Sequence, residues 1–150
     1  MEIRIITLGR RTARKQASAE ELFESFCKRI GFSCRCQTEN YPTEEKFIAA
    51  VDRGLNRAIS KTSSRTKPVL VLLDSRGQAF TTEQFADWLR RERDQTTQLI
   101  VFAVGPANGW SQEVRERAGL RLSLGPMTLP HELAAAVLPE QRYRAFTIIE

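Results

Sequence analysis

Leu120-Arg-Leu-Ser-Leu-Gly-Pro-Met-Thr-Leu-Pro-His-Glu-Leu133 decides how this chain is organised. Leu120 to Leu124 reads as an apolar strand. Gly125 and Pro126 then turn the chain, Thr128 follows as a polar residue, and Pro130 stands in the first turn of a helix, where its missing N–H would have no intrahelical acceptor anyway. A strand C-terminus therefore lies next to a helix start whose first backbone N–H groups are unbonded. Such a place suits a small ligand with polar edges. His131, at the helix start, reads either as a capping or packing residue or as a catalytic base.

Working outward, Pro68-Val-Leu-Val-Leu-Leu73 and Gln98 to Val104 are apolar runs of the kind found in strands covered on both faces. Glu2 to Leu8 reads as a further strand, and Phe32 to Gln37 alternates as another. Between the strands lie helical patterns. Ser18-Ala-Glu-Glu21 is a capping box, opening a helix with Leu22, Phe23, Phe26, Cys27 and Ile30 on one face and a stop at Gly31. Thr43 caps a helix carrying Phe47, Ile48, Val51, Leu55 and Ile59, and Lys61 to Lys67 follows as a polar loop. Thr81-Thr-Glu-Gln84 is a second capping box, ahead of Phe85, Trp88 and Leu89. Ser111 to Ala118 is a short helix closed by Gly119. Pro139 is expected to kink or end the helix from Pro130 near Leu138, because it removes a hydrogen bond and clashes with the preceding turn. Ala145 to Ile149 is then a separate apolar stretch. The alternation predicts an α/β fold, a parallel sheet with helices on both faces, as one domain over residues 1–150.

Three segments follow apolar strands and precede helices: Asp74-Ser-Arg-Gly77, Gly105-Pro-Ala-Asn-Gly-Trp110 and Gly125-Pro-Met-Thr128. In an open parallel sheet such loops share one edge, where ligands bind. Gly105, Gly109 and Gly125 either let the backbone approach that ligand or simply make tight turns. Other chemistries lack their signatures. No P-loop is present, Gly105-x-x-x-Gly109 departs from G-x-G-x-x-G, His131-Glu132 has no second His at zinc spacing, and no Gly-x-Ser-x-Gly elbow exists.

With 41% apolar and 27% charged residues over 150 positions, the composition is that of a soluble globular protein. No apolar run approaches the roughly 20 residues of a membrane helix, and Met1 to Leu8 is too short and charged for a secretory signal. The cytoplasm is the expected compartment. Cys27, Cys34 and Cys36 read as buried thiols rather than as a metal or redox site. The formal charge is +5. Basic residues group at Arg10, Arg11, Arg14 and Lys15; at Lys61, Arg65 and Lys67; at Arg90 to Arg93; at Arg115, Arg117 and Arg121; and at Arg142 and Arg144. These groups read as a nucleic-acid footprint or as solvated surface. Glu92 and Asp94 make the third group a polar helix face, whereas the first has no acid within it and reads as a basic loop.

Leu122-Ser-Leu-Gly-Pro-Met-Thr-Leu-Pro-His-Glu-Leu133, followed by Glu140-Gln-Arg-Tyr-Arg-Ala-Phe146, resembles the S-L-S-x-M-T-L-P-H-x-L and E-Q-x-Y-R-A-F segments of the SPOUT-class methyltransferases, and within them the bacterial large-subunit rRNA methyltransferase H family. Thr7-Leu-Gly-Arg10, Leu73-Asp-Ser-Arg-Gly77 and Phe102-Ala-Val-Gly-Pro-Ala-Asn-Gly-Trp-Ser111 are similar to further family segments. The resemblance implies a SPOUT fold with a C-terminal trefoil knot, S-adenosyl-L-methionine as cofactor, a homodimer without metal or membrane, and methylation of N3 of a pseudouridine in 23S rRNA on the assembled ribosome. Carried over by position, the cofactor contacts are Leu73, Gly105, Leu124, Gly125, Pro126, Met127, Thr128 and Leu129. Arg144 is the candidate for stabilising the anion that develops on the base, and His131 for orienting it. Arg10, Arg11, Arg14, Lys15 and Arg142 are the expected RNA contacts. The chain departs from the family pattern at Pro106, which replaces a glycine, at Ala135, which replaces an arginine, and beyond Glu150, where the family carries a short Tyr-His tail. A non-catalytic or divergent RNA- or ribosome-binding protein on the same scaffold is the alternative.

Overall fold

The structure, a computed structural model, describes residues 1–9, 21–22, 24–26, 28–29, 35–61, 68–106, 108–127, 129 and 131–149, with the backbone alone at 55–61 and 131–132. Five strands form one sheet in the order β2-β1-β4-β3-β5: β1 (Glu2–Leu8), β2 (Arg35–Tyr41), β3 (Val69–Ala79), β4 (Leu99–Val104) and β5 (Leu120–Ser123). Every neighbouring pair is parallel. Parallel strands need crossover connections. These carry α1 (Glu44–Lys61), α2 (Thr82–Asp94) and α3 (Gln112–Arg117), and α4 (His131–Ile149) follows the last strand. Residues 21–22, 24–26 and 28–29 are also helical.

The apolar runs split between two faces. Ile3, Ile5, Val71, Ile100, Phe102 and Leu122 pack with Phe85, Ala86 and Leu89 of α2 and with Leu138, Ala145 and Phe146 of α4. Their alternates Ile6, Leu8, Leu70, Leu72, Leu99, Val101 and Ala103 pack with Phe47 and Val51 of α1 and Val114 of α3. Both sides of each central strand are thus covered, as the absence of polar alternation predicts. The helix starts also follow the sequence. Thr81 and Gln84 close a reciprocal capping box at α2, Ser111 caps α3, and Thr43 Oγ1 accepts from the Lys46 N–H at α1.

Three expectations need correction. The second strand, described from Arg35, runs on to Tyr41 rather than ending at Gln37; Phe32 to Cys34 lie outside the described residues. It is an edge strand, with Cys36 half-buried, so apolar alternation was a poor guide to its limits. Asp74 to Gly77 is not a loop leaving the sheet but a bulge inside β3, which resumes pairing at Gln78. And α4 runs unbroken through Pro139 to Ile149, so Ala145 to Ile149 is its last part rather than a separate element. A mid-helix proline costs about 3 kcal/mol. Burial of Leu138 and Phe146, at about 1.5–3 kcal/mol each, is enough to offset that. Thr82 Oγ1 also donates to Gln141 Oε1 at 2.8 Å, which ties α4 to α2 beyond the proline.

The capping box before residues 21–29 involves Ser18 and lies outside the described residues, as do Cys27, Cys34 and the loop after Lys61. Among the described residues no helix is long and apolar enough to cross a membrane.

Phe102 is fully buried and makes edge-on contacts with Phe85 and Trp88 at ring centroid distances of 6.0 and 6.3 Å. Phe102→Ala should destabilise the fold by about 3–5 kcal/mol, read as a lowered urea midpoint with an unchanged m-value.

Candidate functional site

Strand register builds the site. Leu73 of β3 pairs with Val104 of β4 on one side and with Leu122 of β5 on the other. The C-terminal ends of three adjacent strands therefore lie level, and the segments that leave them start from one line. Between them is a cleft of about 530 Å³. Leu73, Asp74, Ser75 and Arg76 line it from β3 and its bulge. Val104, Gly105, Pro106, Asn108, Gly109 and Trp110 line it after β4, and Arg115 from α3. Leu122, Leu124, Gly125, Met127 and Leu129 complete it from β5 and its exit, with Ala134 from α4. Apolar side chains and a few polar groups in a volume of this size suit a nucleoside-sized molecule.

Each wall has a local cause. Asp74 accepts the Arg76 N–H at 2.9 Å, a side-chain turn that folds the bulge. Asp74 also faces Arg121 at 3.8 Å. After β5, the Ser123 hydroxyl donates to the Gly125 carbonyl at 3.0 Å and accepts the Gly125 N–H at 3.2 Å. Gly125 has φ +135°, a conformation open to glycine and strained for other residues. On the side of α3, Arg117 holds both Asp52 oxygens, at 3.1 and 3.2 Å, and Ser111 bonds Glu44, so α3 is fixed onto α1.

Trp110 closes the back of the cleft. It is 5% exposed, packs on Phe47 at 5.4 Å, and donates its indole N–H to the Leu73 carbonyl at 3.0 Å. Its ring lies directly over Gly105, where an added Cβ would sit 2.5 Å from Trp110 Cε2. Gly105 is thus required by the indole: the chain needs no side chain there so that Trp110 can lie flat against the strand end.

The sequence reading brings together Leu73, Gly105, Leu124, Gly125, Met127 and Leu129, all of which line the cleft. Pro126 is exposed and is not among the lining residues, and Met127 is 80% exposed. Thr128 lies outside the described residues, as do Arg10, Arg11, Arg14 and Lys15; of His131 the backbone alone is described, at the start of α4. Arg142 corrects an expectation. It is 1% exposed, on the helix face shared with Leu138 and Phe146, and offers no guanidinium to an external phosphate in this chain. Arg144 is exposed and paired with Glu140. It stands 13 residues beyond His131, about 20 Å along the helix, and does not line the cleft. Trp110 and Arg115 were missed. Trp110 carried a signal, a large aromatic directly after a glycine-flanked loop, whereas Arg115 read only as one of a surface group of cations.

The family model described as a predicted SPOUT methyltransferase matches residues 1–150. The chain is similar to the ribosomal RNA large subunit methyltransferase H of Koribacter versatilis, 37% identical over 149 residues that cover 99% of this chain and 94% of that protein. It is also similar to the protein of the same name from Rhodospirillum centenum, 35% identical over 150 residues, 99% of this chain and 95% of that one. Among solved structures it resembles the SpoU methyltransferase AviRb from Streptomyces viridochromogenes in complex with AdoMet, with TM-score 0.53, 14% identity and coverage of 96% of this chain and 57% of that one. A probable methylase family protein from Haemophilus influenzae matches with TM-score 0.58, 12% identity and coverage of 98% and 65%. At these identities the structural likenesses speak for the fold.

Gly105→Ala should force the indole off the strand end. The expected result is a loss of about 1–3 kcal/mol in urea unfolding together with a shift in tryptophan emission; a variant with unchanged stability and emission would refute the tight Gly105–Trp110 contact.

Proposed function

This chain belongs to the SPOUT methyltransferase family, and on that basis we propose that it methylates large-subunit ribosomal RNA, taking the methyl group from S-adenosyl-L-methionine and delivering it to N3 of a pseudouridine in 23S rRNA of the assembled ribosome. The observation that carries this reading is the meeting of the three strand-end segments in one cleft of nucleoside size. Its residues fit the cofactor. Leu73, Leu122, Leu124 and Leu129 supply apolar walls for a base, the backbone at Gly105, Leu124, Gly125, Met127 and Leu129 supplies polar edges, and Arg115 brings a guanidinium with no ion pair among the described residues. When bound, the sulfonium supplies an activated methyl and a neutral leaving group.

The remaining work falls to this chain. Its walls hold the two reactants in line. As the S–CH3 bond breaks and the N3–CH3 bond forms, N3 gives up its proton to solvent, so negative charge develops there. Arg144 is the proposed stabiliser of that charge and His131 the group that orients the base. Within one chain Arg144 is remote from the cleft, so a second copy has to bring it, and we propose a homodimer. Leu133 and Ile148 on α4 are exposed at 48% and 45%, apolar surface that a symmetric contact would cover. The basic group Arg10, Arg11, Arg14 and Lys15 is the proposed grip on RNA phosphates, with residues 1–150 acting as one domain in the cytoplasm.

Ribosomes from cells lacking the protein should gain a methylated pseudouridine when incubated with the protein and S-adenosylmethionine, as read by nucleoside mass spectrometry. No methyl gain, together with no cofactor binding at millimolar concentration, would leave a non-catalytic RNA-binding protein. Arg144→Ala should slow transfer by about 10²–10³-fold with cofactor affinity unchanged; an unaltered rate on native ribosomes removes Arg144 from the mechanism.

A further inference from the structure

Arg76 and Arg115 both line the cleft with no ion pair among the described residues; Arg76 is exposed on the bulge, whereas Arg115 is half-buried. Its backbone is fixed in α3: the N–H donates to the Ser111 carbonyl at 3.0 Å, and its own carbonyl accepts the Ala118 N–H at 3.2 Å. Val114 beside it is fully buried against the sheet. The side chain lines the cleft and is half-buried, and its Nε is sealed from solvent with no hydrogen-bond partner among the described residues. Neighbouring arginines differ. Arg117 is held by Asp52 and Glu113, and Arg121 faces Asp74. Asp74, the one acid among the described residues that line the cleft, is already engaged by Arg121 and the Arg76 N–H. The sealed Nε is covered by protein, so a ligand in the cleft would meet the terminal nitrogens of this guanidinium. A half-buried cation with no ion pair is unfavourable unless an anion completes it. Its planar fork matches a carboxylate or a phosphate, and pairs with either through charge-assisted bonds.

We infer that Arg115 is the binding residue for a carboxylate in this cleft, that of the amino-acid portion of the cofactor. This rests on the cofactor reading above and extends it to a specific group. The half-buried place of Arg115 among the cleft-lining residues favours an anion carried in with a ligand that fills the cleft over a backbone phosphate that approaches from solvent. The rest of the nucleoside is then left to the apolar walls and the strand-end backbone, so the two ends of one ligand are read by separable parts of the chain.

That separation gives the test. S-adenosylhomocysteine keeps the carboxylate, whereas 5′-methylthioadenosine lacks the whole amino-acid portion. Calorimetric titration of both against the full-length protein and its Arg115→Gln and Arg115→Lys variants forms a thermodynamic cycle. Arg115→Gln should weaken S-adenosylhomocysteine about 10–100-fold while leaving methylthioadenosine within about twofold of its original affinity, and Arg115→Lys should recover part of the loss. Equal weakening of both nucleosides would mean that Arg115 merely shapes α3, and would overturn the inference. Unchanged S-adenosylhomocysteine binding would overturn it too; if rRNA binding fell instead, the anion would be a phosphate. An unaltered protein that binds neither nucleoside fails earlier, at the cofactor reading itself, and takes this inference with it.

Discussion

Everything at the ligand edge depends on how β3 is hydrogen-bonded to its two neighbours. Leu73 is level with Val104 on one side and with Leu122 on the other. A slip of one residue in either ladder would turn the apolar set of β3 to the opposite face, and both faces are already filled by unlike partners. On one side stand Phe85, Leu89 and Phe146, on the other Phe47, Val51 and Val114. Two-sided burial therefore sets the register, and the register sets which carbonyls, amides and side chains meet beyond the strand ends. The cleft is a consequence of core packing before it is a binding site.

The same logic orders the second layer of constraints. Trp110 belongs at once to the core, through Phe47, and to the cleft, through its bond to the Leu73 carbonyl and its contact with Gly105. Arg117 and Ser111 fasten α3 to α1, which fixes the outgoing end of the segment that starts at Gly105. Position at the site is thus inherited from packing on the face that holds α1 and α3, while the opposite face, through α2 and α4, holds the helix that starts at His131.

How much of this was legible depends on the physical range of each signal. Val69 to Leu73 and Leu99 to Val104 announced themselves because a strand buried on both faces has no room for polar alternation. Thr81 and Thr43 did so because capping is local chemistry over three residues. The bulge at Asp74 to Gly77 was read as a loop, since its polar residues match turn composition and only the partner strand reveals that pairing resumes at Gln78. Pro139 misled for a related reason: its cost is local, and the packing of Leu138 and Phe146 that outweighs it is not. Arg142 and Arg115 both read as surface cations, because a sequence shows charge but not the direction a side chain takes. Family resemblance reached the cleft-lining residues Leu73, Gly105, Leu124, Gly125, Met127 and Leu129, but it gave no place to the Trp110 indole, whose contacts with Phe47 and the Leu73 carbonyl join neighbours distant in the chain.

The bulge in β3 has one more implication. Leu73 and Gln78 both align with Leu122, so the four residues between them add nothing to the length of the ladder. They behave as a spliced-in cassette. Evolution, or a protein engineer, can rewrite Asp74, Ser75 and Arg76 and thereby retailor the mouth of the cleft, provided Gly77 is kept, since a Cβ there would lie 2.5 Å from the Arg121 carbonyl oxygen on β5.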